Sequence, residues 1–229
     1  DGIMGLQVLE RRCLGALAYC SIMFHNKTRR FLPMPQTIYE VRLLKQQDRR
    51  RFQKFRDLCS RKTAPSLIKA GVTRVRELDF IYPNLLLLKN GRIEASLRLE
   101  FLTSWKDFDL RYQNRGTLAG KVQFPCLYTT HAYTRPSSRQ KGYNTFLRRI
   151  AIEMAKHWKA NSLLSDMVAK SPRRQTMLDM SYRAYPHPTG WPDMKVYQKI
   201  SSMLLILEKK GPQALKVSRA LTKDLGRQT

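Results

Sequence analysis

The residues with the clearest chemistry are Arg139-Gln140-Lys141-Gly142. This Arg-x-x-Gly group falls where a helix is predicted to begin. A helix start presents consecutive backbone N–H groups to an anion, and glycine lets a phosphate approach the main chain closely. Arg135, Arg139 and Lys141 add charge and donors suited to a phosphorylated ligand, and Tyr143 follows directly. The alternative is a basic turn that holds no ligand. Arginine pairs recur at Arg50-Arg51, Arg148-Arg149 and Arg173-Arg174, each suited to an acidic partner.

The elements that must position this turn follow from patterning. Cys126–Tyr133 reads as a strand, Thr134–Gly142 as a turn, Tyr143–Lys159 as a helix and Ser162–Met167 as a second strand. Upstream, Asn84–Lys89 and Arg92–Phe101 flank Asn90-Gly91, the strongest short signal for a hairpin. In the second of these strands Ile93, Ala95, Leu97, Leu99 and Phe101 alternate with Arg92, Glu94, Ser96, Arg98 and Glu100, which predicts one buried and one polar face. Tyr39–Leu58 reads as an amphipathic helix with a dense basic face that includes Arg50 and Arg51. Trp105–Lys121 reads as a loop. Pro172 opens a helix to about Ala184, since proline is tolerated in a first turn. Pro186–Pro192 is a loop, and Lys195–Lys209 suits either a strand or a helix. Three regions are therefore expected: a helical extension at 1–38 with its helix at 6–24, a main domain at 39–209, and a basic tail at 210–229.

With 229 residues, 42% hydrophobic and 10% aromatic, the chain is able to bury a substantial core, which excludes wholesale disorder. Its formal net charge of +26 draws it to polyanions: nucleic acid, an anionic membrane surface or an acidic protein. Cys13, Cys20, Cys59 and Cys126 are scattered without a C-x-x-C spacing, so neither a metal site nor a disulfide framework is expected. Reduced thiols fit a cytoplasmic setting. The apolar run Cys13–Phe24 is too short to span a bilayer and reads as a buried or groove-lining helix.

The order of basic helix, hairpin, strand, Arg-x-x-Gly turn, long helix and strand resembles the GNAT N-acetyltransferase superfamily. The carrying residues are Arg139-Gln140-Lys141-Gly142-Tyr143-Asn144, set against the signature Arg/Gln-x-x-Gly-x-Gly/Ala, with Pro136 where many members have proline. The final small residue of the signature is Asn144 here. Within the superfamily the chain is similar to the acyl-homoserine lactone synthases and N-acyl amino acid synthases, through Arg50-Arg51-Phe52, Glu77-Leu78-Asp79 and Arg98-Leu99. It departs from the lactone synthases before the turn, where Tyr128-Thr129-Thr130-His131 replaces their Glu-x-Ser-Arg. That departure argues against a homoserine-lactone acceptor and leaves an amino acid or another amine.

The resemblance implies an α+β fold, a mixed and mostly antiparallel central sheet flanked by helices. It also implies an N-acyltransferase moving an acyl group, expected to be long-chain, from a thioester to an amine by direct attack. Such chemistry needs a base for the amine, a polarised carbonyl and a proton for the departing thiolate. His131 and Glu100 are the candidate bases; backbone N–H groups of Thr129–Tyr133 are candidate carbonyl donors. Tyr182, with Tyr185 as rival, stands where members place the tyrosine that protonates the thiolate. Arg135, Arg139, Lys141, Gly142 and Tyr143 would cradle the phosphates of coenzyme A or of acyl-phosphopantetheine on an acyl carrier protein. An acidic carrier protein would dock on Arg50, Arg51, Arg148, Arg149, Arg173 and Arg174. Two other classes stay open on charge: a GNAT-fold enzyme modifying DNA or RNA bases, and a non-enzymatic basic nucleic-acid-binding protein.

Overall fold

Tyr39, Val41 and Leu43 alternate with Glu40 and Arg42, and this two-residue period makes a strand, β1 (Tyr39–Leu43). The computed structural model describes residues 37–61, 73–108, 118–168, 171–186 and 200–207. The helix expected at 6–24, most of the 1–38 extension, nearly all of the loop after Pro186 and the 210–229 tail lie outside the described residues. The helix expected over Tyr39–Leu58 is corrected to β1, a 3-10 turn at Gln46–Asp48 and α1 (Arg49–Ser60). Asp48 ends the extended stretch by accepting hydrogen bonds from the Lys45 amide and the Arg42 guanidinium.

After the single-turn helix α2 (Leu78–Ile81) come the hairpin strands β2 (Asn84–Lys89) and β3 (Arg92–Leu102). Their turn sets Asn90 at φ 47° and Gly91 at φ 73°, left-handed values that asparagine and glycine tolerate best. Strand β4 (Cys126–Thr134) leads through the basic turn to α3 (Tyr143–His157), followed by β5 (Ser162–Val168). The chain continues through α4 (Arg173–Asp179), β6 (Arg183–Pro186) and β7 (Ile200–Ile206). The ambiguous Lys195–Lys209 segment thus contains a strand. The helix opened at Pro172 stops earlier than expected, because Ser181 turns left-handed at φ 69° before β6.

Among the described residues seven strands form one sheet in the order β1-β2-β3-β4-β5-β7-β6. Within it the β4–β5 pair is parallel and the other pairs are antiparallel. This is the mixed, mostly antiparallel α+β architecture expected. Alternate residues of β2 separate the two faces. Leu85 and Leu87 meet Leu147, Ala151 and Ala155 of α3, whereas Leu86 and Leu88 meet Phe52 and Phe55 of α1. Helices therefore cover both faces. That corrects the expectation of a polar, open face on β3: Glu94, Ser96, Arg98 and Glu100 are all buried beneath the α1 side. No helix among the described residues is long and apolar enough to cross a membrane.

Candidate active site

β4 runs beside β5 only from Cys126↔Ser162 to Thr129↔Ser165. Beyond that point β4 stays with β3 while β5 stays with β7, so the two strands part and leave a notch. At the opening the β3–β4 register slips between Ser96 and Arg98, and His131 takes φ 48°. An extra residue in one strand of a pair is a β-bulge, which bends the strand and redirects side chains beside functional sites.

The Arg-x-x-Gly turn lies at the far end of β4. A 3-10 turn at Pro136–Ser138 leads to Arg139, then Gln140 at φ 65°, and Gly142 at φ 72° caps α3. The first helical hydrogen bond runs from the Phe146 amide to the Gly142 carbonyl. No side chain caps this helix start. Among the described residues, no acceptor meets the backbone amides from Gln140 to Thr145. A helix start without protein acceptors is a ready anion site. Buried Glu94 shapes the turn: it bonds the Ser138 hydroxyl, and its carbonyl accepts from the Arg135 amide at 2.8 Å.

The expected phosphate binders divide. Arg139, Lys141 and Gly142 are exposed at the turn, with Arg139 Nη2 also donating to the Cys59 carbonyl at 3.2 Å. Tyr143 is half-buried, its hydroxyl 3.1 Å from that of Tyr39. Burial, then the Tyr39 hydroxyl, raises its pKa. Arg135 is corrected to an internal anchor. Its Nε donates to the Ile93 carbonyl at 3.0 Å and its guanidinium lies over the Phe55 ring, so it faces the core.

A charged network lies under α1. Arg56 pairs with Asp79, Arg98 Nη1 lies 3.4 Å from the same carboxylate, and Arg98 Nη2 binds Glu100 Oε1 at 2.6 Å. Burial pushes the Asp79 carboxyl up, but the Arg56 hydrogen bond and charge, with Arg76 and Arg98, outweigh it and hold the pKa below the usual value. Thr130 Oγ1 bonds Glu100 Oε1 at 2.9 Å and lies 3.1 Å from His131 Nδ1. Glu100, expected on a solvated face, is 8% exposed, and its Oε1 already accepts from Arg98 Nε, Arg98 Nη2 and Thr130. Those bonds engage one carboxylate oxygen and make Glu100 a support for Arg98 and Thr130.

On the α3 side Tyr182 is 3% exposed, with a hydroxyl that has no hydrogen-bond partner among the described residues. Burial pushes its pKa up to about 12, against the lowering field of Arg148. Tyr185, its rival, packs with the Tyr128 and Leu164 cluster on the other face.

The docking arginines do not form one surface. Arg50 and Arg51 are exposed on α1, on the opposite face from α3 and α4. Arg148 is corrected to a core residue at 4% exposure. Arg173 turns inward to donate to the Ala132 carbonyl at 3.3 Å, while Arg149 and Arg174 are half-buried. Thr130, Glu94, Ser138 and Ser165 were not singled out from the sequence. Small polar residues on a strand carry no signal until their strand neighbours are known.

No protein-family model matches the chain, and no curated protein sequence is similar to it. Solved structures are similar in fold. One is a CoA-dependent acyl-homoserine lactone synthase with SAM and isopentyl-CoA, 13% identical over 78% of this chain and 81% of that one, with a TM-score of 0.54. Another is the ribosomal-protein-S18-alanine N-acetyltransferase from Escherichia coli, 13% identical over 76% and 96%, with a TM-score of 0.52. A third is the GNAT domain of S. lividans PAT, 10% identical over 74% and 91%, with a TM-score of 0.53.

Proposed function

We propose that this chain, which has the fold of the GNAT acyltransferases, is an N-acyltransferase that takes an acyl group from a coenzyme A thioester and passes it to the amine of a small molecule, such as an amino acid. The observation that carries this reading is the run of backbone amides from Gln140 to Thr145, without acceptors among the described residues, beside the notch where β4 leaves β5. Those amides, with Arg139 and Lys141, suit a pyrophosphate. The pantetheine arm would then lie along the unpaired end of β4, with the thioester carbonyl at the His131 bulge.

In this reading the amine attacks the thioester carbonyl carbon from the side of Arg98, Glu100 and His131. A carbon–nitrogen bond forms and the carbon–sulfur bond breaks. His131 takes the amine proton through Nε2, and β4 backbone amides stabilise the oxyanion. Tyr182, kept protonated by burial, supplies the proton to the thiolate and recovers it from solvent. Coenzyme A is favoured over a carrier protein because the arginines expected to dock a carrier are divided between two faces or turned inward. The lactone synthase of similar fold, solved with isopentyl-CoA, supports a coenzyme A thioester.

Calorimetry with coenzyme A and acetyl-CoA tests the cradle. Thiol release in the presence of mixed amino acids, with mass spectrometry of the products, tests the transfer. Binding together with an N-acyl product is expected. No binding of any coenzyme A thioester, or no acylated amine from any acceptor, would overturn the proposal.

A further inference from the structure

Arg148 reaches from α3 to the apex of the notch. Its Nη1 donates to Thr129 Oγ1 at 3.2 Å and to Ser165 Oγ at 3.1 Å. Thr129 and Ser165 are the last paired residues of β4 and β5, so the guanidinium bridges the strands where they part. Its Nε donates to Asn144 Oδ1 at 3.2 Å. All three acceptors are neutral. Among the described residues Arg148 has no carboxylate partner, and neither do Arg139 and Arg173.

Arg173 feels the charge of Arg139 at the phosphate turn, and Arg148 feels that of Arg173. Burial, with Arg173 adding to it, pushes the pKa of Arg148 down to about 10. Burial and then Arg139 lower that of Arg173. A buried charge without a counter-charge is among the costlier features a core can hold. Asn144 adds a second unmet demand. Its Oδ1 is fixed by Arg148, and its Nδ2, on a residue 8% exposed, has no acceptor among the described residues. A long hydrocarbon chain entering this notch would meet a charge and satisfy neither group. A carboxylate would satisfy both, through a charge-assisted bond to Arg148 and a second bond from Asn144.

We infer that the acyl group taken by this site is a short one ending in a carboxylate, received at the notch apex by Arg148 and Asn144. The donor is then the monothioester of a dicarboxylic acid. This rests on the thioester reading above and replaces the long chain expected from resemblance. The transfer balances as before: the amine loses one proton, the thiolate gains one, and the amide product keeps the free carboxylate.

Succinyl-CoA and butyryl-CoA have acyl chains of similar length and differ in ending in a carboxylate or a methyl group. Calorimetry on the full chain should show succinyl-CoA binding about tenfold tighter or more. Arg148→Met should abolish that preference. Should that variant fail to fold by circular dichroism, Asn144→Ala should still narrow the preference. Equal affinities in the wild-type protein, or tighter binding of butyryl-CoA or palmitoyl-CoA, would overturn the inference alone. Failure of coenzyme A itself to bind would overturn the thioester reading and this inference with it.

Discussion

His131 Nδ1 stands 3.1 Å from Thr130 Oγ1, and the partners of that hydroxyl decide which ring nitrogen is basic. Glu100 Oε1 accepts the Thr130 proton at 2.9 Å. Thr130 Oγ1 then has only lone pairs to offer, so His131 must donate from Nδ1–H and carry its basic lone pair on Nε2. His131→Gln is expected to lower kcat by about 100-fold or more, the usual worth of a general base, with coenzyme A affinity unchanged. Thr130→Val removes the tautomer lock without touching the ring. It should lower kcat and shift the pH–rate profile, and Thr130→Ser should restore both. A His131→Gln enzyme with unaltered turnover would remove the ring from the mechanism.

Asp79 holds two guanidiniums beneath α1, and its pKa is depressed in the folded state. A carboxyl with a lowered folded pKa binds fewer protons folded than unfolded. Its contribution is complete above the unfolded value of about 3.9 and is lost as pH falls through the lower folded value. Urea midpoints should therefore drop steeply below about pH 4. Asp79→Asn should flatten that acid limb while costing about 3–5 kcal/mol at neutral pH, because Arg56 loses its carboxylate partner while Arg98 is left with Glu100 alone. Equal stability of variant and parent at pH 7 would contradict this account.

Gly142 adopts φ 72°, and a Cβ built there meets nothing within 4 Å. The cost of Gly142→Ala is therefore backbone strain alone, about 1–2 kcal/mol, with no packing clash to add. The new methyl group would nonetheless stand at the anion cradle. Thermal melts should show the modest loss, and calorimetry should show a larger proportional loss of coenzyme A affinity. A variant with reduced stability and full affinity would move the phosphate away from this turn.

The hairpin and the turn-to-helix junction were legible because only a few residues accept the backbone they need. Asn90, Gly91 and Gly142 all take positive φ. β1 was not legible: its five alternating residues run straight into a dense basic helix, and the longer pattern dominated. Ser181 ends α4 in a left-handed conformation that serine does not signal, which put Tyr182 in a helix it does not join. Glu100 and Arg148 show a deeper limit. A polar residue on an amphipathic pattern looks solvated until the partner face is known, and here Glu100 faces Arg98 and Thr130 while Arg148 faces Thr129 and Ser165.

Arg148 should be costly to the fold and needed by the function, and that pairing can be measured. Replacing a buried, unpaired charge with an apolar side chain of similar length removes a desolvation penalty of several kcal/mol. Against this, three hydrogen bonds from a charged donor are lost, each with a net worth of about 1.5–3 kcal/mol. Two of the hydroxyls would stay hydrogen-bonded as donors, since Ser165 Oγ donates to the Thr129 carbonyl at 3.0 Å and Thr129 Oγ1 to the Leu164 carbonyl at 3.4 Å. Asn144 Oδ1 would lose its one partner among the described residues. The removed penalty and the lost bonds are of the same order, so Arg148→Met should melt close to the parent in the absence of ligand while losing acyl transfer. Arg148→Lys keeps the buried charge with a different set of donors and should melt lower. A Met variant that melts lower than the parent would show that the guanidinium holds the strands together, as a structural bridge and not as a receptor for an anion.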